Sequence, residues 1–318
     1  MAEQRLESFT RLIWRFAVLA VAVVLGTTPG RPETAALPVT EIASGIFVHN
    51  GVHEEASAAN EDAIANIGFI IGDEAVAVMD PGGSFAEGSA LRAAIRARTD
   101  RPIRYVILTH VHPDHILGAA AFRDDHPDFV GHAKLPGALA QRGDYYVRRL
   151  RSTLGDEANG TEIVVPTVLV SDRLDLDLGG RRLALWAHGP AHTDNDLTIF
   201  DQNTRTFWLA DLLFVDRIPV IDGSLVGWLK QLDELTAISA DRAVPGHGPV
   251  SVPWPAAAEP ERRYLAAVAR DTRAAIKSGI GIANAYQHVA NSERGNWLLF
   301  DEYHPRNVTA SYKELEWE

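Results

Sequence analysis

The stretch THVHPDH, which begins at residue 109, places three histidines and an aspartate within seven positions. His110 and His112 alternate along an extended chain, so their side chains point the same way. Pro113 turns the chain, and Asp114 and His115 follow at the start of a helix that faces the same space. Neutral imidazole and carboxylate are preferred ligands of zinc and related divalent ions. The spacing therefore predicts a metal site, although Asp114 alone would also suit a helix N-cap.

Three later motifs also put a metal-binding side chain close to the end of an apolar strand. They are GPAHTDND, LADLLF and VPGHG, which contribute His192, Asp211 and His247. Loops held by a rigid scaffold are where binding and catalytic groups concentrate. With the first motif they supply too many ligands for one tetrahedral ion. Two ions about 3.5–4 Å apart would use them all if one carboxylate bridges them, as in binuclear hydrolytic sites.

These motifs, in this order over about residues 40–250, resemble the metallo-β-lactamase superfamily. The H-x-H-x-D-H motif carries the resemblance, and the later His, Asp and G-H-G strengthen it. The resemblance implies an α+β fold, a four-layer αββα sandwich with the site between its two sheets. It also implies the ligands: His110, His112 and His192 for the first ion, Asp114, His115 and His247 for the second, and Asp211 as the bridge.

The resemblance further implies roles and a cofactor. Asp114 would orient the nucleophile and take its proton, in addition to binding metal. Asp80, in VMDPGG, matches a buried aspartate of the family that orients the site and is usually not a ligand. The implied cofactor is two Zn²⁺, with iron or manganese as alternative ions. A zinc-bound hydroxide would attack an ester, thioester, lactone or related carbonyl. Asp80, Thr109 and Asp196 are candidates to accept the second N–H of the ligating histidines.

The chain has no cysteine, which excludes disulfides, thiolate nucleophiles and thiolate metal ligands. Two β-lactamase subclasses of the family carry Cys where this chain has Asp211, and the third lacks a bridging carboxylate there. The full ligand set therefore resembles the glyoxalase II type. Within it the chain is most similar to exported quinoprotein relay system zinc metallohydrolases, on stretches such as GIFVHNG, HAKL and NVTASYKELE. That similarity implies a small-molecule substrate and a periplasmic quinoprotein dehydrogenase as a candidate partner.

Three other functions remain open at this point. They are a mononuclear iron thiol or persulfide oxygenase, a β-lactamase, and a non-catalytic accessory protein of a quinoprotein. The intact second ligand set argues against a mononuclear iron site. A metal site with open positions argues against a purely structural role, because structural zinc sites are closed and have four ligands.

Alternating strands and helices must position these residues. Strands are expected at residues 45–49, 65–72, 75–80, 103–110, 129–132, 167–188 with a GG turn, 196–201, 206–211 and 241–248. Helices are expected at residues 87–99, 114–122, within 136–161, at 225–238 and at 260–278. Two strand-rich halves favour the αββα sandwich, with an open doubly wound sheet as the alternative.

The N-terminus predicts export. Arg5, Arg11 and Arg15 precede the short apolar run Phe16–Gly26, and small residues follow, as in a secretory signal. Residues 1–36 are therefore expected to be a signal peptide or an uncleaved N-terminal anchor, which places the protein in the periplasm. Residues 37–255 form the predicted metallo-β-lactamase-like domain, and residues 256–318 a helical extension packed on it.

The formal net charge of −12 argues against a nucleic-acid partner, which would need a positive footprint. The sequence leaves the oligomeric state open. Four features have both a functional and a structural interpretation. The loop around His49 and His53 is either a flap over the metals or a solvated loop, and His132 either lines the pocket or makes a structural hydrogen bond. The arginines of residues 144–155 form either a substrate-binding wall or a solvated face, and residues 256–318 either cover the pocket or only pack.

Overall fold

The structure is a computed structural model and describes residues 34–318. Almost all of the predicted signal or anchor, residues 1–36, therefore lies outside the described residues. No helix within 34–318 combines the length and the apolar character needed to cross a membrane.

The first half of the described chain forms a seven-stranded mixed sheet. Its strands, which neighbour one another in chain order, are β1 (Thr40–Ala43), β2 (Ile46–His49), β3 (Ile67–Ile71), β4 (Val76–Met79), β5 (Ile103–Leu108), β6 (Asp128–His132) and β7 (Val168–Val170). The first four strands pair antiparallel, which confirms the expected β3–β4 hairpin. From β4 to β7 the pairing is parallel, so the carboxyl ends of β4, β5 and β6 share one edge.

The second half forms a six-stranded sheet in the order β13-β12-β11-β10-β9-β8. Its strands are β8 (Arg173–Asp177), β9 (Arg182–Ala187), β10 (Leu197–Asp201), β11 (Thr206–Phe214), β12 (Arg242–His247) and β13 (Val252–Pro253). The β8–β9 hairpin closes where the GG turn was expected, with Asp177 opposite Arg182. Only β11 and β12 run parallel, which brings two of the motif-bearing strands side by side.

Helices lie between and after the strands. They are α1 (Phe85–Arg96), α2 (Pro113–Ile116), α3 (Leu135–Leu154), α4 (Leu225–Thr236), α5 (Glu259–Lys277), α6 (Ile282–Ala285) and α7 (Phe300–Leu315). Ser84 and Ser224 cap α1 and α4 by accepting backbone N–H groups of the first turn, as serine at an N-cap does.

Three apolar clusters confirm four layers. Strand side chains alternate between faces, so Val76 and Val78 of β4 pack outward against α1, whereas Ala77 and Met79 pack inward. The inner cluster joins residues of both sheets, and the third cluster joins β11 and β12 to α4, α5 and α7. The predicted sandwich is therefore confirmed, and the open doubly wound sheet is wrong.

One predicted helix is shorter than expected. The pattern predicted a helix over 114–122, but α2 ends at Ile116, and a 3₁₀ segment covers Ala119–Asp125. The N–H of Gly118 donates to the carbonyl of Gly82, 2.8 Å away, instead of continuing the helical ladder. Packing of the loop after β4 therefore overrides the local helical pattern.

Glu261 of α5 is a fully buried acid behind the sheet. Its Oε1 accepts the N–H of Phe214 at 3.0 Å, and its Oε2 has no partner among the described residues. Burial raises the pKa of this carboxyl well above its ordinary value of 4.5, against the smaller opposing effect of that hydrogen bond. The folded protein therefore holds Glu261 protonated, whereas the unfolded chain releases the proton at moderate pH.

Glu261→Gln should reduce the loss of stability that accompanies rising pH. Because the folded pKa is raised, stability from this group is greatest below the unfolded pKa and falls as pH rises toward the folded pKa. Glutamine still offers an oxygen to Phe214 but has no proton to lose. Between about pH 5 and pH 8 the Tm of the variant should fall by a few °C less than that of the parent, at ~2–4 °C for each kcal/mol. Glu259→Gln, on the exposed face of the same helix, is the control, and parallel curves for all three proteins would contradict the expectation.

Candidate metal centre

The predicted ligands come from both sheets. His110 and His112 follow β5, and His115 lies in α2. From the second sheet, His192 lies in the turn after β9, and His247 is the last residue of β12. All of them are buried except His112, which is half-buried. Three chain segments that are far apart in sequence, around residues 110–115, 192 and 247, thus deliver imidazoles to one place.

Asp211 lies at the centre of this arrangement. Its side chain is within β11, where the register with β12 shifts after Trp208 and Ala210 adopts a φ of 46°. Its carboxylate oxygens lie within 3.0–3.7 Å of the Nε2 atoms of four rings. Those distances are 3.7 Å to His110, 3.0 Å to His115, 3.3 Å to His192 and 3.4 Å to His247.

The ligand atoms fall into two groups, each with members within 4.8 Å of one another. The groups are His110, His112, His192 and Asp211, and Asp114, His115 and His247. This partition matches the two ligand sets implied by the resemblance. In the structure Asp114 is buried in the second group and is not an N-cap, since the N-cap residue of α2 is His112.

The first glycine of the VPGHG motif, Gly246, lies where a side chain would not fit. A Cβ at this position would lie 1.9 Å from Oδ1 of Asp211 and 2.7 Å from the backbone of Ala210. Any side chain at 246 would therefore displace the central carboxylate.

Unpartnered buried atoms show that these residues fit metal ions. Nε2 of His110 has no hydrogen-bond partner among the described residues, and Nε2 of His115 and Oδ1 of Asp211, although 3.0 Å apart, are not aligned for a hydrogen bond. Nε2 of His192 and Nδ1 of His112 lie 2.9 Å apart, although neutral rings that both present lone pairs there would repel. Buried polar groups are normally satisfied, and a cation satisfies all of these together.

The charges of the site also suit metal binding. Burial lowers the pKa of His110 well below its ordinary value and that of His192 to about 3, so both rings are neutral. Burial would raise the pKa of Asp211, but the surrounding histidines, His115 first, hold it well below its ordinary value. Burial likewise opposes protonation of His115, yet Asp211, Asp114 and Asp80 raise its pKa. Metal binding would displace that proton, so affinity should weaken as pH falls.

The second ring nitrogen of each candidate ligand has its own acceptor. Nδ1 of His115 donates to Asp80 at 2.8 Å, and Nδ1 of His110 donates to Thr109 Oγ1 at 3.0 Å. Thr109 in turn donates its hydroxyl and its N–H to Asp80, both at 2.8 Å. Asp80 therefore orients two ligand rings without reaching the metal groups itself, as outer carboxylates do.

Backbone carbonyls and a second aspartate orient the other rings. Nδ1 of His192 donates to the carbonyl of Val220 at 2.7 Å, and Nδ1 of His247 to that of Ile64 at 2.8 Å. Nε2 of His112 donates to Asp222 Oδ2 at 3.1 Å, and Arg142 also donates to this carboxylate.

Asp196, a predicted acceptor for a ligand ring, does not have that role. Its carboxylate accepts the N–H and the hydroxyl of Thr193, at distances between 2.6 and 3.2 Å. It fixes the turn that follows His192, because the aspartate and the threonine are three residues apart in one tight loop. The contribution of Asp196 to the site is therefore indirect.

Helix α7 holds the loop that carries two of these acceptors. Nδ2 of Asn307 donates to the carbonyl of Pro219 at 2.6 Å, and its Oδ1 accepts the N–H of Ile221 at 3.0 Å. The segment between them contains Val220, and Asp222 follows directly. The C-terminal region thus supports the orientation of His192 and His112.

A cavity of about 240 Å³ opens beside the two groups. Its walls include residues 55–57 of the loop after β2, Tyr146 and Arg149 of α3, and Tyr303 and Arg306 of α7. The functional interpretations of the helix at 144–155 and of the C-terminal helices are therefore favoured. His132 is buried but lies outside the cavity lining, where its Nδ1 accepts the N–H of Lys134 at 3.0 Å.

Sequence reasoning missed Asp222, Arg142 and Arg217. Asp222 stands in VIDGS, directly before the helix that Ser224 caps, a context that is typical of a turn residue. Val220 and Ile64 act through backbone oxygens, which no side-chain pattern reveals. Arg217, buried at the cavity, follows a strand without any motif around it.

Comparisons with known proteins agree with this geometry. The chain is 26% identical over 214 residues to the linear primary-alkylsulfatase of a Pseudomonas strain, an alignment that covers 56% of this chain and 40% of that protein. It is 24% identical over 181 residues to the 2,4-dinitroanisole O-demethylase subunit alpha of a Nocardioides strain, which covers 56% of this chain and 51% of that one. The chain thus spans about half the length of the curated relatives it matches.

Solved structures share the fold at low identity. A metallo-beta-lactamase from Pontibacter korlensis matches with a TM-score of 0.59 at 17% identity, over 72% of this chain and 99% of that one. A double mutant of the sec-alkyl sulfatase PisA1 matches with a TM-score of 0.67 at 15% identity, over 89% of this chain and 51% of that one.

The family model of the metallo-beta-lactamase superfamily matches residues 61–247, the segment that contains every candidate ligand. The match confirms the predicted family and agrees with the predicted class, a metal-dependent hydrolase. The chain belongs to the metallo-beta-lactamase superfamily.

Proposed function

We propose that the chain is a binuclear zinc hydrolase that acts on an ester, thioester, lactone or related carbonyl. The observation that carries this proposal is the pair of ligand groups that meet at Asp211 beside a cavity. Two bound ions would lower the pKa of a shared water and polarise the bond under attack. The volume of the cavity suits part of a small molecule.

In this proposal Asp114 accepts the proton of the attacking water, and its surroundings support that role. Its Oδ2 lies 3.6 Å from Nε2 of His115 and 3.4 Å from Nε2 of His247, and the residue lines the cavity. Burial opposes its ionisation, but His115 and His247 lower its pKa below the ordinary value. The carboxylate is therefore charged at neutral pH and can accept a proton while it orients the water.

Export to the periplasm and service to a quinoprotein dehydrogenase belong to the same proposal. Both rest on the N-terminal sequence and on the stretches quoted for the quinoprotein relay hydrolases. Size-exclusion chromatography of the matured chain with and without a purified quinoprotein dehydrogenase would test the partnership directly.

Hydrolysis of sulfate esters is the second candidate function. A named alkylsulfatase is among the curated relatives, and a named sec-alkyl sulfatase matches the fold over 89% of this chain. Sulfate esters and carboxylic esters both develop negative charge on oxygen in the transition state, so one metal centre suits either.

Metal analysis of the matured chain, followed by a substrate panel, tests the proposal. We expect about two zinc ions per chain, as in binuclear sites. The panel pairs 4-nitrophenyl carboxylic esters, thioesters, lactones and β-lactams with alkyl sulfates, each with and without prior chelation. One iron ion per chain, or hydrolysis that survives chelation, would overturn the binuclear zinc assignment.

Asp114→Ala should lower kcat by about 10²-fold or more, because general-base contributions have that size. Zinc content of the second group should fall with it, since Asp114 is one of only three residues there. Reconstitution with excess zinc separates the two effects, because a lost proton acceptor is not restored by metal. Asp124→Ala, at an exposed aspartate, is the control. Full turnover by the Asp114 variant would show that Asp114 is not the proton acceptor.

Asp222→Asn should weaken zinc at the first group by about 10–100-fold, the usual effect of losing an outer carboxylate. Zinc in the second group should keep its affinity, because no ring of that group contacts Asp222. Competition with a chromogenic chelator measures the two affinities separately. Asp216→Asn, at an exposed aspartate of the same loop, is the matched control. Equal loss in both groups would indicate a general folding defect instead.

A further inference from the structure

Arg217 is a buried cation without an anion. Its side chain lines the cavity, yet the residue is only 2% exposed. Nη2 donates to Tyr303 Oη at 3.2 Å, and Nε has no partner among the described residues. Nη1 lies 3.3 Å from Nδ1 of His247, but that nitrogen already donates its proton to the carbonyl of Ile64. A ring that accepted from Arg217 would have to carry its proton on Nε2, which would prevent metal binding.

A second buried arginine shows how this protein satisfies a guanidinium. Arg181, 7% exposed, donates two hydrogen bonds to Asp201 at 2.8 and 2.9 Å. It donates two more to the carbonyls of Ser44 and Ile71. Arg217 has five N–H donors and uses one. A buried charge left this way is strongly destabilising, so its retention at a cavity wall indicates a ligand of opposite charge.

Two more arginines extend the positive charge toward the cavity mouth. The ring of Tyr303 contacts two guanidinium groups, with its centroid 5.4 Å from that of Arg217 and 5.3 Å from that of Arg306. Arg149 reaches the same cavity from α3. None of the three arginines lies within 4.0 Å of a carboxylate of the described chain.

The acidic residues of the cavity wall do not cancel this charge. Apart from the metal ligands, the acidic lining residues are Glu55 and Asp62. Two carboxyl groups thus face three guanidinium groups.

We infer that Arg217, Tyr303 and Arg306, with Arg149 at the mouth, form a binding subsite for a carboxylate or sulfate group of the substrate. This inference rests on the proposed function, because it concerns the substrate of the same cavity. Planar guanidinium groups match both oxyanions with paired hydrogen bonds. Tyr303 and Arg306 lie beyond residue 247, outside the part of the chain that matches the family model. The C-terminal extension would therefore set substrate choice.

Binding of matched ligand pairs to the zinc-loaded protein tests the subsite. Calorimetric titrations compare succinate, glutarate and adipate with monocarboxylates of the same carbon number, so that one carboxylate is common to each pair. A second arm compares hexyl sulfate with hexanol. We expect at least one dicarboxylate to bind about tenfold or more tightly than its monocarboxylate, or hexyl sulfate to show a similar advantage over hexanol, since a charge-assisted hydrogen bond is worth at least that factor.

Variants assign the preference to these residues. Arg306→Ala, at an exposed position, should reduce the advantage several-fold, and Arg217→Gln should abolish it, whereas Arg217→Lys should restore part of it. Arg148→Ala, the exposed neighbour of Arg149 on α3, should leave it unchanged. Zinc content and Tm of each variant show whether it folds and keeps its metal; if Arg217→Gln does not fold, Arg306→Ala and Arg149→Ala decide.

The dicarboxylate and hexyl sulfate comparisons show where in the substrate the bound anion lies. A variant-sensitive preference among dicarboxylates places the anion at the end remote from the reacting bond, and one confined to hexyl sulfate places it at the reacting end. Preference in neither arm, or a preference that survives the arginine variants, overturns the subsite. A variant-sensitive preference in a protein that hydrolyses nothing on the panel would instead contradict the proposed function and leave the subsite standing.

Discussion

The carboxylate of Asp211, buried among four imidazole rings, is the contact on which the rest of the site depends. Its oxygens lie 3.0–3.7 Å from rings that belong to both sheets. The two sheets, which share the inner apolar cluster, therefore also meet in a polar contact at one edge. The bend of β11 at Ala210 and the missing side chain at Gly246 both serve this placement. A buried carboxylate is tolerable only where opposite charge or hydrogen bonds compensate it, and here the bound metal ions would supply that compensation.

The residues that orient the histidine rings come from different parts of the fold. Asp80 and Thr109 join His110 and His115 within the first sheet, where parallel strands end together. The rings of His192 and His112 depend instead on the loop at 219–222, which Asn307 of α7 holds in place. One half of the site is therefore a property of the sandwich, and the other half depends on the C-terminal helices.

The clustering of the candidate ligands and the fold were predictable from the sequence for a physical reason. The side chains of THVHPDH and VPGHG lie at strand ends, and the ends of neighbouring strands converge wherever the sheet forms. The extent of α2 was wrong because Gly118 hydrogen bonds across to Gly82, a contact that depends on tertiary packing. Carbonyl acceptors such as that of Val220 could not be predicted, because every residue has a backbone carbonyl and the sequence does not show which one faces a ring. Arg217 escaped because an isolated arginine in a sequence gives no sign of burial.

If the inferred subsite binds substrate, the 3.3 Å approach of Arg217 to the ring of His247 would link the binding of metal and of substrate thermodynamically. A ligand that draws the guanidinium away from this ring changes the electrostatic free energy of the imidazole. Whatever factor the ligand applies to metal affinity, the metal must apply to ligand affinity, since coupling free energies are reciprocal. A chain that binds zinc only weakly without substrate would then bind it more tightly during turnover. When metal is scarce, the substrate-free protein would lose its zinc first.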